Sequence, residues 1–155
     1  MNKTLVMLPK TPPRDHRQTA WDLFSHDADI GVRGYGETKE IAFEQAAYAM
    51  TGVMTDPEKI TPLKSVDISC EGPDDALLLY EWLNALVYEM ATRGMLFSRY
   101  AVDIQDNTLT GRAWGEPVDI DRHQPAVEIK GATLTELRIS QEPDGQWTAQ
   151  CVVDV

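Results

Sequence analysis

The sequence predicts an α+β protein: a two-layer sandwich in which a mixed, largely antiparallel β-sheet carries two helices on one face. Three observations point there. Both segments with helical spacing of apolar residues end by Gly94. The sequence after Gly94 alternates apolar and polar residues in short runs, the pattern of strands with one solvated face. The turns between those runs, Asp106-Asn107 and Asp144-Gly145, are of the short kind that join antiparallel neighbours. At 155 residues, 43% apolar and 25% charged, the chain fits one domain. No repeat or linker divides it, so a single domain over 20–155 is expected.

Residues 1–19, with Pro12, Pro13 and the basic residues Lys10, Arg14 and Arg17, show no sustained period and are expected to form a flexible leader. Apolar residues resume at Trp21 to Phe24, and Ile30, Val32 and Gly34 alternate beyond an acidic cluster, predicting two short strands. Thr38 is a helix N-cap for the run from Ile41 to Met54, whose Ala-rich face suits packing on a sheet. The capping box is incomplete, because Ile41 stands where Glu or Gln would help. Asp56-Pro57 ends this helix, and Val66, Ile68 and Cys70 predict another strand. Gly72-Pro73-Asp74-Asp75 opens the second helix with acidic residues at its positive end. Leu78, Trp82, Leu86 and Met90 form its buried stripe, and Gly94 stops it. Strands are then expected at Tyr100 to Ile104, Leu109 to Trp114, Val127 to Thr133, Leu137 to Ser140 and Trp147 to Val153, with a loop holding Pro117, His123 and Pro125.

A formal net charge of −11 repels phosphate backbones, because direct nucleic-acid binding relies on Lys and Arg to neutralise phosphates. No direct nucleic-acid partner is expected; the same field attracts cations and basic protein surfaces. No run approaches the ~18 apolar residues of a membrane helix, and the start of the chain lacks the apolar core of a signal peptide. Neither a membrane nor export is expected. Cys70 and Cys151 have no metal or redox spacing and read as buried thiols in a reducing, cytoplasmic setting.

The densest group of chemistry-bearing residues is His26-Asp27-Ala28-Asp29. In a continuous strand Asp27 and Asp29 would share a face and His26 would point away. The chain ends Val153-Asp154-Val155, so a side-chain carboxylate stands beside the terminal one. If that strand pairs near Asp29, the oxygens suit Ca²⁺ or Mg²⁺ better than zinc; taken alone, they also fit solvated strand ends. An independent active site has little support: the histidines are His16, His26 and His123, and no Ser lies in a GxSxG or SxxK context. The glycines of Gly31-Val32-Arg33-Gly34-Tyr35-Gly36 lack the order of a phosphate loop and fit close packing on a strand. Arg112 and Lys130 fall on the polar sides of strands, where a solvated face or a partner contact would place them.

Taken in order from Trp21 to Val155, these pieces resemble the archease family, small proteins that activate the tRNA-splicing RNA ligase. His26-x-Ala28-Asp29-x-Gly31 resembles its opening motif, and Gly36-Glu37-Thr38 with Ala42-Phe43 its first helix start. Met54-Thr55-Asp56 and Leu79-Tyr80-Glu81-Trp82-Leu83-Asn84 match later pieces. So do Gly115-Glu116, His123 and Glu128-x-Lys130. The resemblance implies a metal site of Asp29, Asp154 and the final residue Val155, holding a divalent ion, Ca²⁺ or Mg²⁺/Mn²⁺. His26, Asp27 and Lys130 become surrounding residues or partner contacts, and Asp27 stands where the family commonly has Thr. Gly131, Leu134 and Thr135 depart from the Ala, Tyr and His usual there. The implied role is that of a protein cofactor, not an enzyme. It would promote guanylylation and turnover of the RNA-splicing ligase. The alternative the family suggests is a chaperone or modulator of a tRNA-modifying enzyme such as a tRNA methyltransferase.

Overall fold

The computed structural model describes residues 7–13 and 20–155. The expected leader falls partly on 1–6 and 14–19, outside the described residues, as does His16. In chain order the elements are β1 (Trp21–His26), β2 (Asp29–Gly36), α1 (Lys39–Met54), a 3₁₀ turn (Pro57–Lys59), β3 (Lys64–Glu71) and α2 (Asp75–Arg93). They continue with β4 (Met95–Gln105), β5 (Thr108–Pro117), α3 (Ile120–His123), β6 (Gly131–Ala132), β7 (Arg138–Gln141) and β8 (Trp147–Asp154). No helix is long and apolar enough to cross a membrane among the described residues.

The α+β class holds, and every strand pairing is antiparallel. The expected single sheet is divided in two. A five-stranded sheet runs β1-β2-β8-β6 with β7 also on β8, and a three-stranded sheet runs β3-β5-β4. The helices accordingly do not share one open face. From Ala42 onward α1 is buried on nearly every side. A Cβ at Gly34 of β2 would fall on the backbone of Ala46 and Ala42, so the helix rests directly on that strand. On its other side, the Thr51 hydroxyl donates to Phe97 O of β4 (3.0 Å), and Glu44 accepts the Val102 N–H there (2.9 Å). The Ala-rich composition of α1 is what lets backbone approach it from two directions. α2 keeps the single apolar stripe expected of it, with Leu78, Trp82, Leu86 and Met90 buried. Trp82 reaches over Gly111 of β5 and donates its indole N–H to Phe43 O of α1 (3.2 Å), which ties both helices to one core.

The helix ends follow the sequence closely. Thr38 Oγ1 accepts the Ile41 N–H (3.1 Å), and Asp74 Oδ1 accepts the Leu77 N–H (2.8 Å). Gly94 ends α2 with φ 62°, the left-handed conformation that glycine adopts without a Cβ penalty. Two segments differ from expectation. Val127 to Thr133 contributes only the two-residue β6, flanked by single bonds to β8 from Lys130 N–H to Asp154 O (2.8 Å) and Thr133 N–H to Val152 O (2.9 Å), while Ala126 just before it bonds Met54 O (2.7 Å). The loop holding His123 contains the short helix α3, started by Asp119 accepting the Arg122 N–H (3.2 Å).

Candidate functional site

The β1–β2 hairpin turns on two residues, Asp27 and Ala28, with Asp27 in the left-handed region at φ 52°. The turn sets His26 directly opposite Asp29. Directly opposed residues of antiparallel strands share a face, so the expected pairing of Asp27 with Asp29 on one face is corrected to His26 with Asp29. Asp27 stands on the turn with a 94% exposed side chain, 3.8 Å from His26 Nδ1. The strand runs on with Gly31 opposite Phe24, whose ring occupies the space a Cβ on Gly31 would take.

β8, at the centre of the sheet, brings in the chain terminus. Its last pair with β2 is Ile30↔Val153, so Asp29 and Asp154 are the next residues at the ends of the two neighbouring strands. On the other side Asp154 pairs with Gly131 of β6. With His26 opposite Asp29 and Gly131 opposite Asp154, extending the register by one residue gives a row across the sheet end: His26, Asp29, Asp154, Gly131. Ile30 and Val153 beside this row pack on the core, which leaves the two carboxylates to the outward face. The Val155 side chain also packs on the core, at the same strand end. Lys130 is exposed beside it and holds Asp154 O through its backbone N–H.

The chemistry of Asp29 and Asp154 suits a hard divalent cation, since both offer oxygen ligands only. Among the described residues, neither Asp29 nor Asp154 has an ion pair or a side-chain hydrogen bond to use up its oxygens. No group of three or more His, Cys, Asp or Glu side chains that could hold a metal ion occurs among the described residues. The third donor here would come from the main chain, with water completing the roughly 6–8 oxygens a calcium ion takes.

A second polar cluster braces the segment that delivers Lys130. Glu116, at the end of β5, is buried and accepts from both terminal nitrogens of Arg122. Its Oε2 also lies 3.1 Å from Nε2 of the fully buried His123. Because the Asp119 N–H donates to His123 Nδ1 (2.9 Å), the imidazole proton sits on Nε2 and is given to Glu116. Arg122 above all, and then the Thr61 N–H and His123, hold the Glu116 carboxyl down at about 2. Sequence reasoning placed Glu116 and His123 in a loop without seeing that they meet. Their separation by a β-strand end and one helical turn was the available signal. Of the departures, Gly131 pairs in the sheet and a Cβ there would stand 3.1 Å from Asn84 Oδ1. Leu134 is exposed, and Thr135 accepts the Val152 N–H through its carbonyl (3.0 Å).

Fold and site define a class: a small α+β protein of two antiparallel sheets around a buried helix, with acidic strand ends gathered at the chain terminus. The solution structure of Methanobacterium thermoautotrophicum protein 1598 has this fold. It superposes with a TM-score of 0.74 at 30% identity and covers 89% of this chain and 100% of that one. The model of the archease protein family (MTH1598/TM1083) matches residues 21–155. Protein archease of Pyrococcus furiosus is 40% identical over 139 residues, 87% of this chain and 98% of that protein. Protein archease of Sulfurisphaera tokodaii is 38% identical over 124 residues, 79% of this chain and 89% of that protein. The chain belongs to the archease family.

Proposed function

We propose that this protein is a non-enzymatic cofactor of an RNA-splicing (tRNA) ligase, which promotes the ligase's guanylylation and turnover through a divalent metal site. The observation that supports the reading is the Ile30↔Val153 pair, which puts Asp29 and Asp154 at the ends of adjacent strands in a chain of the archease family. Asp29, Asp154 and the terminal carboxylate of Val155 would hold the ion, Ca²⁺ or Mg²⁺/Mn²⁺. When bound, such an ion supplies Lewis-acid charge to phosphate oxygens.

The chain's own residues do the positioning. Lys130 fixes the end of β8 through its N–H, and β6 holds Asp154 in register on one side. The acidic surface favours encounter with a basic RNA-binding enzyme, and complementary fields raise the association rate. The free Cys70 and Cys151 suit a reducing cytoplasm.

The test is a ligase turnover assay with and without this protein across Ca²⁺, Mg²⁺ and Mn²⁺. The expected outcome is repeated ligation cycles with the wild type, and ligase stalled after one cycle with D29N or D154N. Stimulation undiminished in both variants would reject the site.

A further inference from the structure

One row of directly opposed residues crosses the outward face of the five-stranded sheet: Asp22, Arg33, Gln150, Arg138. It lies on the same face as the carboxylate row, four residues along β2, or about 14 Å at ~3.4 Å per residue. Two guanidinium groups converge on one oxygen within it. Arg33 Nη1 and Arg138 Nη2 each donate to Gln150 Oε1, both at 3.4 Å. Gln150 is 2% exposed, and its amide is oriented by Nε2 donating to Glu136 O (3.2 Å), so its oxygen is committed to the arginines.

The two cations are compensated unequally. Arg33 donates Nε to Asp22 Oδ1 (2.9 Å), and its guanidinium lies 4.8 Å from the centre of the Phe24 ring, which fixes it in place. Arg138 is exposed and has no carboxylate partner among the described residues. On a protein of net charge −11, with acidic side chains to spare, a cation beside a second cation has been left open.

We propose that the Arg33–Arg138 pair is a binding site for a carboxylate side chain of a partner protein that docks on this outward sheet face. Planar guanidinium forks match the two oxygens of a carboxylate, and one fork is already held rigid, which lowers the ordering cost of binding. The net charge decides against phosphate polymers, since each added phosphate meets the whole field of the protein while a single carboxylate brings one charge. The half-buried ring of Phe24, opposite Gly31 between the two rows, supplies apolar area for the same partner surface.

The test follows the arginine Nε–Hε signals by NMR during titration of the full chain with N-acetylglutamate amide at constant ionic strength. Chloride and inorganic phosphate serve as parallel arms. The expected result is a saturable shift of Arg33 and Arg138 with the glutamate probe. In R138Q, whose backbone amide spectrum checks the fold, the half-saturation concentration for the Arg33 shift should rise about tenfold. Linear shifts equal to those with chloride would overturn the site, and tighter saturation by phosphate would overturn the carboxylate assignment. Neither probe nor readout involves a metal or a ligase, so the outcome is independent of the function proposed above.

Discussion

His123 and Glu116 meet inside the protein, Nε2 to Oε2 at 3.1 Å, with the imidazole proton directed at the carboxylate by the backbone N–H that occupies Nδ1. The Glu116 carboxyl is depressed from 4.5 to about 2. A carboxyl depressed on folding stabilises the native state above its unfolded pKa, and that contribution disappears as pH falls through the folded value. Glu116 therefore supports the fold in full above about pH 4.5 and loses that support toward pH 2. E116Q should cost about 2 kcal/mol at pH 7, as expected for lost hydrogen bonds to a charged group. It should cost much less at pH 2.5. Urea midpoints at the two pH values measure the difference.

Glu44 runs the other way. Burial between α1 and β4 is the main cause of its rise from 4.5 to about 7, with Glu40 adding to it and the Val102 N–H opposing it. A raised carboxyl is neutral with respect to stability below its unfolded pKa. It costs increasingly as pH climbs from 4.5, and the cost is complete above about 7. E44Q keeps an acceptor for Val102 and removes the charge. It should be stabilising at pH 8 by about 2 kcal/mol and close to neutral at pH 4. Thermal melts of both proteins at those pH values test the sign.

D29N and D154N replace outward-facing carboxylates with groups of the same shape, so each should change unfolding free energy by less than about 0.5 kcal/mol without metal. With Ca²⁺ or Mn²⁺ at about 100-fold over Kd, the wild type should gain about 3 kcal/mol by linkage and the variants should gain little. D27N, on the exposed turn, should behave as wild type in both respects. Calorimetric titration and melts with and without chelator separate these outcomes.

Two residues added after Val155 leave its side chain packed on the core but convert the terminal carboxylate into a peptide carbonyl. Melting temperature without metal should be unchanged, and cation affinity should fall about tenfold, the equivalent of about 1.4 kcal/mol. An affinity equal to that of the wild type would show that the terminus is not a ligand.

G34A introduces a Cβ onto the backbone of Ala42 and Ala46, which has no side chain to swing away. Parting α1 from β2 should cost about 3 kcal/mol, at the upper end for an overpacked core. Gly31 faces the Phe24 ring, which can rotate, so G31A should cost less. Chemical denaturation of the two variants gives the comparison.

Much of this molecule was legible in its sequence. Thr38, Asp74 and Gly94 mark helix ends that the structure keeps, because a cap is decided by a few neighbouring residues. Asp29, Asp154 and Val155 were brought together by resemblance to a family; the residues alone permitted the meeting without requiring it. What misled was the turn at Asp27. A strand period read straight through it put His26 on the wrong side, where a two-residue hairpin reverses the count.

By itself the sequence determined the two long helices, nearly all the strands, the acidic character and the oxygen-rich ends. Each of these depends on composition or on a period a few residues long. Only the tertiary structure decided that the strands form two sheets with α1 between them, that the ends of β2 and β8 carrying Asp29 and Asp154 are neighbours, and that Arg33 and Arg138 meet at Gln150. The physical reason is that an alternating strand specifies which face it buries but not which strand it pairs with. That choice is made by packing across the whole chain, where Gly34 admits a helix backbone and Gly111 admits the Trp82 ring.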